Sequence, residues 1–271
     1  MKKNIIIFCT VLTALSLTAC DFSNEKEKEA DQLEVLENQD LASNIEGPVI
    51  ITERINSDFI FDVGPRFNVI KKTDLDKAKS FSDFIADEHA GRIVLYKKLS
   101  VIVLDGENKT DVRETANTGN SGNLTPAQIK LLQSADYSTN LLIWADYREK
   151  SFEDGQLQNS TWTPYLSVVP EKQAKYIDGK ESLIAYLDKS SEAARANVES
   201  DKLKPAKIIF TVTKNGTIEN AKLDRASGYP SVDKMMIELI NNTPGTWEPA
   251  ENIKGEKVDQ ALTISFGILG C

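Results

Sequence analysis

The chain has 271 residues, a formal charge of −9, three cysteines and a single histidine. The acidic balance excludes recognition of nucleic acid through its phosphates. One histidine excludes most zinc sites, the Ser-His-Asp triad and Cys-His catalysis, and no phosphate-cradling loop, nucleophile elbow or calcium loop appears. The expectation is a protein that is not an enzyme and carries no cofactor or metal.

The chain opens MKKNIIIFCTVLTALSLTAC. Lys2 and Lys3 give a positive start, a short apolar run follows, and small residues lead to Cys20. This apolar run is shorter than the ~20 residues a membrane span needs. Leu17-Thr18-Ala19-Cys20 resembles the lipobox of bacterial lipoproteins. The resemblance implies that residues 1–19 are a signal peptide and that Cys20 carries lipid, so that the membrane is a partner through Cys20. It places the protein in the cell envelope, facing the periplasm, with the outer membrane favoured over the inner. Asp21 resembles an inner-membrane retention signal, whereas the acidic stretch beyond it resembles surface-export signals. Cys9 leaves with the signal and Cys271 is the last residue, so no internal disulfide is expected.

Residues 20–44 read as an acidic flexible tether. Glu25, Glu27, Glu29, Asp31, Glu34, Glu37 and Asp40 face only Lys26 and Lys28, and aromatics are missing after Phe22. Such a composition buries too little apolar surface to order itself.

Residues 45–169 read as a first α+β domain. Val49-Ile50-Ile51 is a short strand candidate, and helical spacing runs from Leu75 to Ala86. The β-rich run IVLYKKLSVIVL, Ile93 to Leu104, is one long strand or two. Thr125-Pro126-Ala127-Gln128 is a helix start: Thr125 caps, Pro126 fits the first turn and Gln128 completes a capping box. Leu141 to Tyr147 and Pro164 to Val169 read as antiparallel strands, with a polar turn from Ser151 to Trp162 between them. Trp144 and Trp162 are expected to pair across it. His89 is expected as a solvated residue at a helix C-terminus, where the dipole favours it.

Residues 170–271 read as a second module with helices on one face of an antiparallel sheet. Asp178 is expected to cap a helix whose Leu183, Tyr186 and Leu187 share one face. A charged linker from Ala193 to Lys204 follows. Ile208, Phe210 and Val212 alternate inward on a strand. Asn215-Gly216 predicts a type I′ hairpin turn. Ser231 is expected to cap a helix whose Val232, Met235, Met236, Leu239 and Ile240 recur at helical spacing. A last strand places Leu262, Ile264 and Phe266 on one face, and Trp247 is expected in the core.

The run from Pro205 to Gly267 resembles the TonB C-terminal domain family. The matching features are the strand before Asn215-Gly216, the Ser227-Gly228-Tyr229-Pro230 turn, Asp233, Trp247-Glu248-Pro249-Ala250 and Gly255 before Val258. The resemblance implies strand addition of an extended segment, such as the TonB box of an outer-membrane transporter or another periplasmic peptide. It makes the last strand the candidate edge: Ala261, Leu262, Thr263, Ile264, Ser265 and Phe266. The departures are at the N-terminus, where a lipobox stands in place of a retained membrane helix and the Pro-rich spacer is missing. The expected function is therefore a lipid-anchored binding module that docks a peptide or transporter segment. The alternatives are an energy transducer with an uncleaved N-terminal helix and a structural envelope lipoprotein without ligand.

Overall fold

A computed structural model describes residues 59–104, 112–117, 120–196 and 198–268. The signal peptide, Cys20, the acidic tether, Val49-Ile50-Ile51 and Cys271 lie outside the described residues. In chain order the first elements are β1 (Phe59–Gly64), β2 (Asn68–Lys71), α1 (Lys72–Lys77), a 3-10 turn (Phe81–Phe84), α2 (Asp87–Ala90), β3 (Ile93–Leu104), β4 (Val112–Asn117) and α3 (Pro126–Gln133). Next come β5 (Asn140–Lys150), β6 (Leu157–Trp162), β7 (Tyr165–Val169), β8 (Lys175–Tyr176) and α4 (Lys180–Arg195). The last are β9 (Ala206–Val212), β10 (Ile218–Arg225), α5 (Pro230–Asn241), β11 (Trp247–Glu248), β12 (Ala250–Glu251), β13 (Lys257–Val258) and β14 (Gln260–Ile268). The fold class is α+β with mostly antiparallel sheets, as the sequence pattern indicates.

Two cores form within residues 50–271, which cluster as one compact unit. The first lies under a sheet ordered β2-β7-β5-β3-β4, with β6 pairing the far half of β5. Among the described residues, only β2 and β7 run parallel. Leu99, Val101, Leu141, Ile143, Ala145 and Tyr147 alternate inward from β3 and β5, against Leu75, Phe81, Leu131 and Leu132. The run from Ile93 to Leu104 is one strand of 12 residues. The helix expected from Leu75 to Ala86 is shorter. Ala78 turns to extended backbone (φ −59°, ψ 133°) after α1, and Ser80 then starts the 3-10 turn with Asp83 accepting from its backbone.

The capping box of α3 is present: Gln128 N donates to Thr125 Oγ1, and Gln128 Oε1 accepts from Thr125 N. Gln128 is fully buried and its Nε2 also donates to the carbonyls of Leu99 and Ala116. One amide thus caps a helix and fastens it to β3 and β4. Leaving any of these groups unpaired inside the core would cost about 1–3 kcal/mol each.

The second core lies under a four-stranded antiparallel sheet ordered β1-β14-β9-β10. Ile208, Phe210, Val212, Leu262, Ile264 and Phe266 point from it toward Leu183 and Leu187 of α4 and Val232, Met236 and Ile240 of α5. Trp247 is in this core, ringed by Tyr176 and Phe210. Several local expectations are corrected. The N-cap of α4 is Gly179 (φ 92°), without a side-chain cap from Asp178. Tyr229, not Ser231, is the N-cap of α5, with Pro230 at the first turn, while Asp233 accepts from the Ser227 N–H. The hairpin at Asn215-Gly216 exists, but only Gly216 has positive φ (78°), so the turn is a three-residue loop and not type I′. A Cβ at Gly216 would also meet the Trp247 carbonyl at 2.5 Å, so glycine is required there.

The boundary at 169/170 is corrected as well. Phe59–Gly64 belongs to the second sheet, although it precedes the whole first core in sequence. Phe59 and Phe61 lie under the guanidinium of Arg195, at 4.5 Å and 6.0 Å from the ring centres. Arg195 was expected in a charged linker. It is instead the last residue of α4, 1% exposed, and donates to the Asp188 carbonyl and carboxylate.

Candidate functional site

The six residues expected as a free edge are interior. Thr263, Ile264, Ser265 and Phe266 each pair with β9 on one side and β1 on the other: Thr263 opposes Ile209 and Gly64, and Phe266 opposes Ala206 and Phe61. Ala261 and Leu262 oppose Thr211 and Phe210 of β9 and extend past the end of β1. There the Ala261 N–H donates to Ser138 Oγ at 2.8 Å, and Leu262 is buried. The physical reason for the correction is that an upstream segment supplies a partner strand. An apolar, β-branched stretch with unpaired backbone groups is an efficient template, and the chain covers it with FIFDVG. Nothing local in the last strand signals this.

The sheet therefore ends in β10 on one side and β1 on the other. These two edges differ. β10 is bulged twice, between Glu219 and Lys222 and between Leu223 and Arg225, and Asn220 sits at φ 57°. Bulges and alternating charges break the regular spacing a new strand needs. β1 pairs with β14 over six residues without a register shift. Among the described residues its outer side has no partner strand. Ile60 (40% exposed) and Asp62 alternate with the core-facing Phe59, Phe61 and Val63, and Asp62 pairs with Lys180, the first residue of α4, at 2.6 Å.

One groove crosses the open face of the sheet, and two clefts lie where β1 ends. A groove of about 200 Å³ runs over Ile60, Asp62, Lys207, Arg225 and Ser265. A larger cleft of about 600 Å³ opens where β1 leaves the sheet, between Pro65–Asn68 and the β6–β7 corner. Asp62 belongs to both. Behind the end of β1, an apolar slot of about 290 Å³ is lined by Val63, Leu183, Trp247 and Leu262.

A buried polar cluster lies in the first core. His89 Nε2 is 2.7 Å from Tyr147 Oη and 3.3 Å from Glu149 Oε2, and its ring meets Trp162 edge-on at 4.8 Å. Ser160 Oγ donates to Glu149 Oε1 at 2.6 Å, and Arg92 lies 3.4 Å from Oε2. His89 is thus packed and not solvated. Burial, and then the Glu149 charge, push the Tyr147 phenol up to about 12. The phenol stays protonated near neutrality, so it is a hydrogen-bond partner and not a base. Trp144 and Trp162 do not pair, because Trp162 opposes Ala145 and so shares the other face. Trp144 lies instead beside Lys98, 5.9 Å from the ring centre. Sequence reading missed this cluster because Tyr147 and Glu149 follow His89 by 58 and 60 residues, and Ser160 and Trp162 join them only through the pairing of β5 with β6.

Among the described residues, no cluster of three His, Cys, Asp or Glu side chains is placed to hold a metal ion, and no helix is long and apolar enough to cross a membrane. Comparison with protein-family models, with curated proteins and with solved structures finds no match to this chain.

Proposed function

We propose that the protein is a lipid-anchored binding module of the cell envelope that docks an extended peptide or transporter segment by strand addition to the outer edge of β1. The observation that supports this reading is the contrast between the two sheet edges. β1 offers a regular six-residue edge with a cleft of about 600 Å³ where it leaves the sheet, and β10 is bulged and charged. An edge of this kind supplies affinity through backbone hydrogen bonds and selectivity through alternate side chains. The resemblance of residues 205–267 to the TonB C-terminal domain family supports the same mode, with the docking strand moved outward by one. The lipobox resemblance at Cys20 supports the anchor, and the acidic residues 20–44 support a tether that lets the module stand off the membrane.

The test uses fluorescein-labelled TonB-box peptides and the purified chain. Anisotropy is expected to show saturable binding. A photocrosslinking amino acid at Ile60 is expected to capture the peptide, and the same group at Glu219 on β10 is not. Absence of binding with an intact circular dichroism spectrum, or capture at Glu219 in preference to Ile60, contradicts the reading.

A further inference from the structure

The cleft between the β1–β2 connection and the β6–β7 corner has a lining whose chemistry specifies a ligand class. Its volume, about 600 Å³, is within the range of small-molecule sites. Trp162 stands at one wall, 44% exposed, and is braced edge-on by His89, which Tyr147 holds at 2.7 Å. Phe67 and Tyr165 also line the cleft, 5.2 Å apart between ring centres. Arg66 is fixed there by Asp224 at 2.8 Å and by the Phe67 ring, 5.5 Å from its guanidinium carbon. Asp62, Asn68 and Thr163 add a carboxylate, an amide and a hydroxyl. Pro65 and Pro164 stiffen the two connections that frame the opening.

We propose that this cleft binds a neutral oligosaccharide, with one sugar ring stacked on Trp162. A pyranose has an apolar C–H face and a rim of hydroxyls. It therefore needs a flat apolar surface beside groups that both donate and accept. Trp162 supplies the surface. Asp62, whose Oδ1 is held by Lys180, accepts from a hydroxyl through its other oxygen, the Asn68 amide both donates and accepts, and Thr163 completes the rim. Other ligand classes fit less well. Both charges at the cleft are already balanced, Arg66 by Asp224 and Asp62 by Lys180, so a phosphate or carboxylate meets no unpaired cation there. A purely apolar ligand would bury the Asn68 amide and the Thr163 hydroxyl without giving them a hydrogen-bond partner. The inference does not depend on strand addition at β1.

The test is calorimetry and saturation-transfer NMR on the purified chain with tetramers of glucose, mannose and N-acetylglucosamine. At least one tetramer is expected to bind. Trp162→Ala is expected to weaken that binding by about tenfold or more, and Asp62→Asn by about threefold or more. Trp144→Ala, on the other face of the sheet, is expected to leave it unchanged. Asp62 is 73% exposed, so Asp62→Asn decides the matter if Trp162→Ala fails to unfold cooperatively. Binding of no tetramer at about 10 mM, or undiminished binding by both variants, overturns the proposal. Peptide capture at Ile60 is read separately, so either proposal can fail without the other.

Discussion

Arg195 shows how one side chain joins distant parts of the chain. It ends α4, is buried, and covers Phe59 at 4.5 Å. Its partner Asp188 remains about half exposed, so the pair is not a fully enclosed charge. Arg195 Nε and Nη1 are buried without hydrogen-bond partners, which offsets part of what the ring stacking contributes. Arg195→Ala is expected to cost about 2–4 kcal/mol in urea unfolding, through lost packing over β1. Arg195→Met, which keeps the volume and removes the unpaired donors, is expected to cost less than half as much. Equal losses in the two variants would show that the charge, not the packing, matters.

Tyr147 gives a second prediction at this scale. Its phenol ionises at about 12 in the folded protein against an ordinary value of 10.0, because burial disfavours the charged form. The unfolded chain therefore loses this proton first. The stabilisation is complete below pH 10.0 and is lost as pH rises to about 12, with a slope approaching about 1.4 kcal/mol per pH unit. Urea titrations from pH 9 to 12 are expected to show a steeper fall for the native chain than for Tyr147→Phe. Parallel curves would contradict the assignment.

At the scale of elements, β1 and α3 make contrasting cases. The Thr125–Gln128 capping box was readable because all its partners lie within one helical turn. Thr125→Ala is expected to cost about 1 kcal/mol. Gln128→Ala is expected to cost more, because the Leu99 and Ala116 carbonyls lose their donor. The alternation of Ile208, Phe210 and Val212 and the helical spacing from Val232 to Ile240 were equally local; the strand face is buried, as are Val232, Met236 and Ile240, while Met235 and Leu239 are half-buried at the rim. β1 was illegible for the opposite reason. FIFDVG pairs with a strand about 200 residues away, and nothing in either segment names its partner. Phe59→Ala is expected to cost about 3 kcal/mol or more and to loosen β1. An unprotected β14 would then be an aggregation-prone edge. Sedimentation velocity is expected to show self-association of this variant, and a strictly monomeric Phe59→Ala would contradict the covering role of β1.

At the scale of the whole molecule, β1 makes the first and second cores parts of one unit. The chain enters through the second sheet, builds the first core, and returns to complete the second. A reading by consecutive segments divides such a chain at the wrong place, since the 169/170 boundary cuts between cores but leaves β1 on the wrong side. Reading residues 261–266 as an edge was the same error seen from the other strand. This arrangement leaves the outer side of β1 without a partner strand among the described residues, and it is there that the proposed docking would occur.

Hydrogen exchange read by mass spectrometry, with and without a bound TonB-box peptide, tests that claim most directly. Without peptide, the amides of Thr263 to Phe266 are expected to exchange only through global unfolding, because both sides of the strand are paired. With peptide, new protection is expected in Phe59–Gly64, while Thr263 to Phe266 stay unchanged. Faster exchange of Phe59–Gly64 on adding the peptide would mean that the peptide displaces β1 and pairs with β14, and would contradict the account.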